Sequence, residues 1–323
     1  MLPQSMPIVL EATNSTGPQF SPVIEDASPL THPIRFGDDL EKTAYIRNDG
    51  ALVVLHEDGT EDVAMVNAML DARILSDGNG RLMLLTEPTD EVPHGVLGNA
   101  IEANRITIVH THTPMTITHV ETPEGQVVEG IAPIWVDIDA DGDREIIVTL
   151  SSVQNGGQIT VFEENGEIAA QGPGIGRPWR WRHQLAVAPF GPNGELELVD
   201  VLTPHLGRVV EFRSLDETLT IVGEQAGYTS HINGSPNLDM AVAGDFDSDG
   251  TVEILLPDSV RTTLGAVSRD SSESGSGVDW SVPLGSRATT NIGVLRSNDG
   301  RLSVAVGTLN QQLRVFVDPS AAN

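Results

Sequence analysis

Two stretches of the sequence decide the fold: Trp135-Val136-Asp137-Ile138-Asp139-Ala140-Asp141-Gly142-Asp143-Arg144-Glu145-Ile146-Ile147-Val148 and Ala243-Gly244-Asp245-Phe246-Asp247-Ser248-Asp249-Gly250-Thr251-Val252-Glu253-Ile254-Leu255-Leu256. Each stretch has the pattern of a short strand, a loop with alternating aspartates and a second strand. Asp137 and Asp245 lie 108 residues apart, and a related stretch without the acids, 188–199, lies midway between them. The sequence therefore contains a repeat of about 54 residues, and repeats of roughly 40–50 residues are typical of β-propellers.

Each copy continues with two more short apolar runs, so that one unit has the four strands of a propeller blade. We expect an all-β fold, a closed β-propeller with six blades, or with seven if residues 14–36 contain further strands. The predicted blades of this single domain, 1–323, cover residues 31–66, 68–121, 131–171, 183–223, 238–283 and 289–318. The last blade has three predicted strands, and we expect residues 7–12 to supply its fourth. Pairing the two ends of the chain in one blade would remove an exposed sheet edge.

Composition restricts the classes of function. Lys and Arg number 18 and Asp and Glu 46, for a net charge of −28, so the chain repels phosphate backbones and nucleic acid is not an expected partner. No apolar stretch approaches the roughly 20 residues of a membrane span. There is no cysteine, which excludes disulfides and thiolate chemistry. The first residues do not have the pattern of a signal peptide, and we expect a mature N-terminus with an added initiator Met as one reading of this start.

The aspartate loops have the composition of calcium sites. Acids stand at loop positions 1, 3, 5 and 9 in both copies: Asp137, Asp139, Asp141, Glu145 and Asp245, Asp247, Asp249, Glu253. Calcium takes six to eight hard oxygen ligands. Asp143 and Thr251, at position 7, would add backbone carbonyls, and Gly142 and Gly250 would permit the positive φ of a tight turn. We predict two structural Ca²⁺ sites; the alternative is a solvated acidic turn, which two copies in register with the repeat disfavour.

At these residues the sequence resembles the FG-GAP/VCBS repeat family, the calcium-loop propellers that include the integrin α-subunit head. The resemblance covers about residues 36–318, with a specific motif in two blades and a degenerate one in four. It implies that calcium braces the turn between the first two strands of a blade, and that the protein is secreted, periplasmic or on the cell surface. The family includes noncatalytic surface proteins, and some secreted polysaccharide lyases carry a similar propeller. The resemblance therefore indicates the fold much better than the activity.

A second candidate site follows from the positions of the histidines. Connections in a propeller alternate between two faces, and five of the nine histidines map to the face opposite the acidic loops, at His32, His94, His183, His205 and His231. The candidate catalytic residues are His94, His183, His205 and His231. The candidate ligand-binding residues on the same face are Arg177, Trp179, Trp181, Tyr228 and Arg287.

Several interpretations of this face remain open. Converging imidazoles could hold a transition metal, or His, Arg and Trp could bind an acidic sugar. Alternatively, each histidine bonds its own neighbours and the tryptophans pack between blades. We expect a calcium-stabilised exported propeller that binds a ligand or protein partner, with carbohydrate as one ligand class. The alternative is a metal-assisted, lyase-like enzyme acting on anionic polysaccharide, and a purely structural role is a third hypothesis.

Overall fold

The computed structural model describes residues 10–11, 19–20, 24–38, 40–176, 181–204, 209–272, 275–297 and 300–317. Three predicted site residues, Arg177, Trp179 and His205, lie outside these ranges. Within them the secondary structure consists of β-strands joined by turns. None of the described residues belongs to a helix long and apolar enough to cross a membrane.

The chain divides into two compact units. The first comprises residues 1–89, 102–122 and 131–133, and the second comprises residues 90–101, 123–130 and 134–323.

The first unit contains a short hairpin and two four-stranded sheets. Its strands are β1 (Leu10–Glu11), β2 (Gln19–Phe20), β3 (Ile34–Phe36), β4 (Lys42–Ile46), β5 (Ala51–Leu55), β6 (Glu61–Met65), β7 (Leu75–Ser76), β8 (Arg81–Thr89), β9 (Glu102–His110) and β10 (Thr116–Glu121). Strands β3 to β6 pair antiparallel in chain order, and β7 to β10 do the same.

The second unit contains three four-stranded sheets and one of three strands, all antiparallel. Its strands are β11 (Val127–Val128), β12 (Ile134–Val136), β13 (Glu145–Ser152), β14 (Gly156–Phe162), β15 (Ile168–Gln171), β16 (Arg182–Ala188), β17 (Glu197–Leu202), β18 (Val209–Ser214), β19 (Ile221–Ala226), β20 (Val242–Gly244), β21 (Glu253–Pro257), β22 (Thr263–Arg269), β23 (Ser276–Pro283), β24 (Ala288–Arg296), β25 (Leu302–Thr308) and β26 (Leu313–Phe316). The sheets are β12–β15, β16–β19, β20–β23 and β24–β26. The two-residue strand β11 pairs with the far end of β13.

Two inner strands, β13 and β21, are buried on both faces. All eight residues of β13 are buried, as are all five of β21. Val, Ile and Leu dominate these strands because β-branched and aliphatic side chains fit a surface that packs on both sides. The fourth strands are mostly exposed or half-buried, as expected for the outer edge of a sheet.

The prediction of an all-β fold of antiparallel sheets is confirmed, and each predicted blade range holds one run of three or four consecutive antiparallel strands. The blade count and the single-domain organisation stay predictions. The expected pairing of residues 7–12 with the last blade is not found for the part that the structure describes. Leu10–Glu11 pairs with Gln19–Phe20 instead, and the sheet β24–β26 has three described strands. A partner a few residues away costs less loop entropy than one at the other end of the chain.

Candidate functional site

Both acidic loops join the first strand of a sheet to its second, as predicted. One loop connects β12 to β13, and the other connects β20 to β21. The strands on each side fix both ends of the loop, since Val136 pairs with Glu145 and Gly244 pairs with Glu253. The nine positions from Asp137 to Glu145, and from Asp245 to Glu253, are therefore held as tight turns between two paired strands.

The two loops share the same internal hydrogen bonds. The Gly142 N–H donates to Asp137 Oδ2 at 3.2 Å, and the Gly250 N–H donates to Asp245 Oδ2 at 3.1 Å. Further bonds from backbone N–H groups to Asp139, Asp141, Asp247 and Asp249 also correspond. The predicted positive φ is present at Gly142 and Gly250, and Ala140 and Ser248 also have a positive φ that the sequence did not suggest.

The acids of each loop gather around one point. Carboxylate oxygens of Asp245, Asp247, Asp249 and Glu253 lie within 4.8 Å of one another. In the first loop the corresponding group is Asp137, Asp139 and Glu145, and Asp141 is outside it. Asp143 and Thr251 occupy the predicted position 7, where each N–H donates to the preceding aspartate of position 5.

The glutamates at position 9 are the buried members of the two groups. Glu253 is 0% exposed; its Oε2 accepts the Phe246 N–H at 3.1 Å, and its Oε1 has no hydrogen-bond partner. Burial, followed by the charges of Asp247, Asp245 and Asp249, raises the pKa of Glu253 to about 7. Burial also raises the pKa of Glu145, with smaller effects of Asp139 and Glu163. Glu163, which the sequence analysis did not single out, thus adds a sixth acid near the first loop.

A third glutamate occupies the equivalent place in the sheet whose loop lacks aspartates. Glu197 is the first residue of β17 and pairs with Ala188, the last residue of β16. It is buried like Glu145 and Glu253, but Arg269 donates to both of its oxygens, at 3.0 and 3.3 Å. Within the described residues no Lys or Arg forms an ion pair with Glu145 or Glu253. Two of the three equivalent carboxylates therefore lack the cation that the third has.

The histidine end of the second unit, defined here as the end reached by Ser152, Leu202 and Pro257, lies opposite the acidic loops. His183 pairs with Val201 near the end of β17, and the loop that carries His231 bonds to β21 through Thr229 N–H and Pro257 O. At about 3.3 Å per residue, the eight residues of β13 separate the two ends by roughly 25 Å.

Trp181 connects the residues at the histidine end. Its ring stacks on His183 with centroids 4.8 Å apart and meets His231 edge-on at 5.2 Å. Its Nε1 donates to the Glu129 backbone oxygen at 3.1 Å. His183 Nδ1 bonds Ser230 Oγ at 2.8 Å, and His231 Nε2 bonds the Ser235 carbonyl at 2.7 Å.

His94 reaches the same region through a buried carboxylate. Its Nδ1 bonds one oxygen of Glu129, and the hydroxyl of Ser151 donates to the other. Glu129 is 1% exposed. The described candidates His94, His183 and His231 therefore lie around Trp181 and Glu129.

Burial changes what these residues can do. Trp181, His183 and His231 are buried, so Trp181 has no free face for stacking on a ligand. Burial and the nearby His231 lower the pKa of His183 to about 3, which keeps its imidazole neutral at physiological pH. Tyr228 is half-buried and packs over Gly265, and Arg287 is exposed on a loop. Among the described residues, the groups of three or more potential metal ligands are the two acidic loops, and neither contains a histidine.

A buried quartet of charges, which the sequence analysis missed, lies in β16–β18. Arg182 bonds Asp200 at 2.9 Å and Glu211 at 2.5 Å, and Arg213 bonds Asp200 at 2.6 Å and also pairs with Glu211. Their side chains are at most 7% exposed. The sequence could have indicated this quartet, because two charged residues, Glu211 and Arg213, stand two positions apart on the same face of the apolar strand β18.

A polar pocket of about 410 Å³ opens at the histidine end. Its polar lining consists of Glu91, Glu124, Gln126, Ser152, Gln154 and Asn155. The lining contains no Lys, Arg or His among the described residues. The pocket therefore offers amide and carboxylate groups to a ligand.

Comparison with known proteins supports the fold alone. No known family profile matches the sequence, and no curated protein matches it. The structure is similar to Sqt1 of Saccharomyces cerevisiae, with a TM-score of 0.52 and 9% identity over 88% of this chain and 72% of that one. It also matches the C-terminal WD40 domain of Sif2, with a TM-score of 0.48 and 14% identity over 87% of this chain. BamB of Moraxella catarrhalis matches with a TM-score of 0.39 and 12% identity over 90% of this chain and 83% of that one.

The chain covers 65% of the Sif2 chain, just under two thirds of its length. The FG-GAP/VCBS assignment has no family match behind it and stays a prediction. Four-stranded antiparallel sheets that repeat along the chain are the blades of a propeller. The chain has the β-propeller fold.

Proposed function

We propose that this protein is an exported β-propeller whose two acidic loops bind calcium and whose histidine end binds a hydroxyl-rich ligand. The observation that carries the calcium proposal is Glu253. A buried carboxylate oxygen without a partner, beside three aspartates, is costly unless a cation is bound there. The ligand atoms are all oxygens, which favour calcium over zinc or copper.

The comparison with Glu197 supports the same proposal. Where the loop lacks aspartates, a guanidinium neutralises the buried glutamate, and where the loop has aspartates no such group is present among the described residues. In the two acidic loops a bound ion would neutralise the buried glutamate, as Arg269 does for Glu197. Most of the aspartates are exposed, so these sites suit the high calcium concentration outside the cell, where modules bind with Kd of about 10⁻⁴–10⁻³ M.

A calcium titration tests the stoichiometry. We expect isothermal calorimetry of metal-free protein to give two calcium ions per chain, and Asp139→Ala and Asp247→Ala each to remove one. Two ions that survive both substitutions would contradict the assignment of the loops.

The pH dependence of calcium stabilisation provides an independent prediction. Without calcium, the pKa of Glu253 in the folded protein is about 7, against 4.5 for an unperturbed glutamate. Between these two pH values the folded protein keeps a proton that the unfolded chain has lost. The metal-free protein therefore loses stability as the pH rises through 7, whereas calcium needs the ionised carboxylate. We expect the calcium-induced rise in Tm to be small at pH 5.5 and larger at pH 8. An equal rise at both values would show that Glu253 is not a ligand.

The pocket at the histidine end supports the second half of the proposal. Amides donate and accept hydrogen bonds, carboxylates accept them from ligand hydroxyls, and a volume of about 410 Å³ lies within the range of small-molecule sites. Glu91 and Glu124 would repel an anionic ligand, so neutral or amino sugars fit this pocket better than a uronate polymer. The lyase alternative has no support from this lining.

A panel of neutral and amino sugars tests the pocket. We expect Gln126→Ala combined with Gln154→Ala to weaken binding of the best sugar by about tenfold, because two neutral hydrogen bonds are lost. Gln225→Ala, which removes an amide from β19, is the matched control. Equal affinities of the two variants would place the ligand elsewhere.

A further inference from the structure

Three arginines, two on loops and one in a strand, lie at the histidine end of the last two sheets. Arg261 lies between β21 and β22, Arg287 directly precedes β24, and Arg314 is in β26. The loops are bonded to each other: Ala288 N–H donates to Arg261 O at 2.7 Å. Leu309 N–H donates to Arg287 O at 2.8 Å. The backbone around the arginines is therefore fixed by paired loops.

Arg314 is held against the same loop. Its Nε donates to the Leu284 carbonyl at 2.9 Å. Its Nη2 lies 2.6 Å from where a Cβ on Gly285 would stand, so the guanidinium packs closely against this glycine. The side chain of Arg314 is thus held against Gly285, which lies two positions before Arg287 in the sequence.

Arg261 and Arg287 have no carboxylate partner among the described residues, although acids outnumber basic residues 46 to 18. Burial and then the charge of Arg287 lower the pKa of Arg261, and no acid offsets the repulsion. Asp258, on the same loop as Arg261, accepts N–H groups of Thr262 and Thr263 at 2.7 and 3.1 Å. The repulsion between these two cations, one of which is half-buried, is offset when an anion binds between them.

We propose that Arg261 and Arg287, with Arg314 beside them, bind a small ligand through an oxyanion group such as a carboxylate or a sulfate. The planar guanidinium forms paired hydrogen bonds to such groups, which a single ammonium does not. A small ligand is favoured because the net charge of −28 repels an extended polyanion. This site goes beyond the proposed function, since Arg261, Arg287 and Arg314 belong neither to the acidic loops nor to the polar pocket.

Binding of sodium sulfate and of the monosaccharide galacturonate, at constant ionic strength set with sodium chloride, tests the proposal. We expect calorimetry or NMR to show saturable binding to the wild-type protein. Arg287→Gln should weaken this binding about tenfold, because charge-assisted hydrogen bonds are lost. Adding Arg261→Gln to that variant should weaken it further. Tighter binding of galacturonate than of sulfate would identify an acidic sugar as the ligand, and equal binding would identify a free inorganic anion.

Arg296→Gln is the matched control, because Arg296 is exposed at the other end of β24 and its loss changes the net charge equally. The proposal is overturned if Arg287→Gln and Arg296→Gln weaken binding equally, or if neither anion binds the wild-type protein saturably in the millimolar range. Calcium titration of the same samples should be unaffected, so a failure here is separable from a failure of the calcium sites.

Discussion

Replacing Asp200 with alanine is expected to lower the free energy of unfolding by about 3–5 kcal/mol, because one partner of a buried ion pair is removed. Asp200 is 0% exposed and bonds both Arg182 and Arg213. Without it, two buried guanidinium groups share the single carboxylate of Glu211. Burial still raises the pKa of Glu211 in the variant. Denaturant unfolding, with the slope checked for constancy, measures the loss.

Glu121→Ala is the control for this experiment. Glu121 pairs with Arg105 at 2.6 Å, but its side chain is 59% exposed. Exposed pairs contribute about 0–1 kcal/mol, so this variant should unfold close to the wild type. If Asp200→Ala loses no more than Glu121→Ala, the quartet does not stabilise the sheet as its burial indicates.

The effect of Glu253→Gln on the unfolding temperature is expected to change sign between excess calcium and a chelator. In excess calcium the variant should lose one bound ion and unfold about 5 °C or more below the wild type, because a ligand at 100 times its Kd contributes about 2.7 kcal/mol. In a chelator at pH 8 the same variant should unfold at an equal or higher temperature than the wild type. The reason is that the amide keeps the hydrogen bond from Phe246 and removes a buried carboxylate that has to ionise.

Glu197→Gln is the matched variant for this comparison. Glu197 has the same place in its sheet, but its counterion is Arg269. Its replacement should therefore lower stability by the same amount with and without calcium. A calcium-dependent effect of Glu197→Gln, or a calcium-independent effect of Glu253→Gln, would contradict the assignment of the ion to the aspartate loops.

The sequence was sufficient to predict the strands and the positions of the acidic loops. Alternation of apolar residues and a repeat of about 54 residues are local signals, and each predicted blade range holds one run of consecutive antiparallel strands. The placement of Asp137 and Asp245 between paired strands followed directly from that repeat.

Contacts between sheets could not be predicted in the same way. The pairing of Glu197 with Arg269 joins residues 72 positions apart, and nothing in the local pattern of either strand indicates it. The burial of Trp181, His183 and His231 likewise depends on how neighbouring sheets pack, so residues expected to line an open site are enclosed instead. The arginine group was only partly foreseen, since Arg287 was predicted and the half-buried Arg261 and Arg314 were not.

The pairing of Glu197 with Arg269 gives the proposed calcium sites an evolutionary consequence. If the aspartate loops bind calcium as we propose, a metal requirement is gained or lost one repeat at a time, because a basic side chain from the adjacent sheet meets the same electrostatic need. Homologues living where calcium is scarce could thus keep the framework while abandoning the aspartates. We expect such homologues to carry a basic residue at the place corresponding to Arg269 for each loop that has lost its acids.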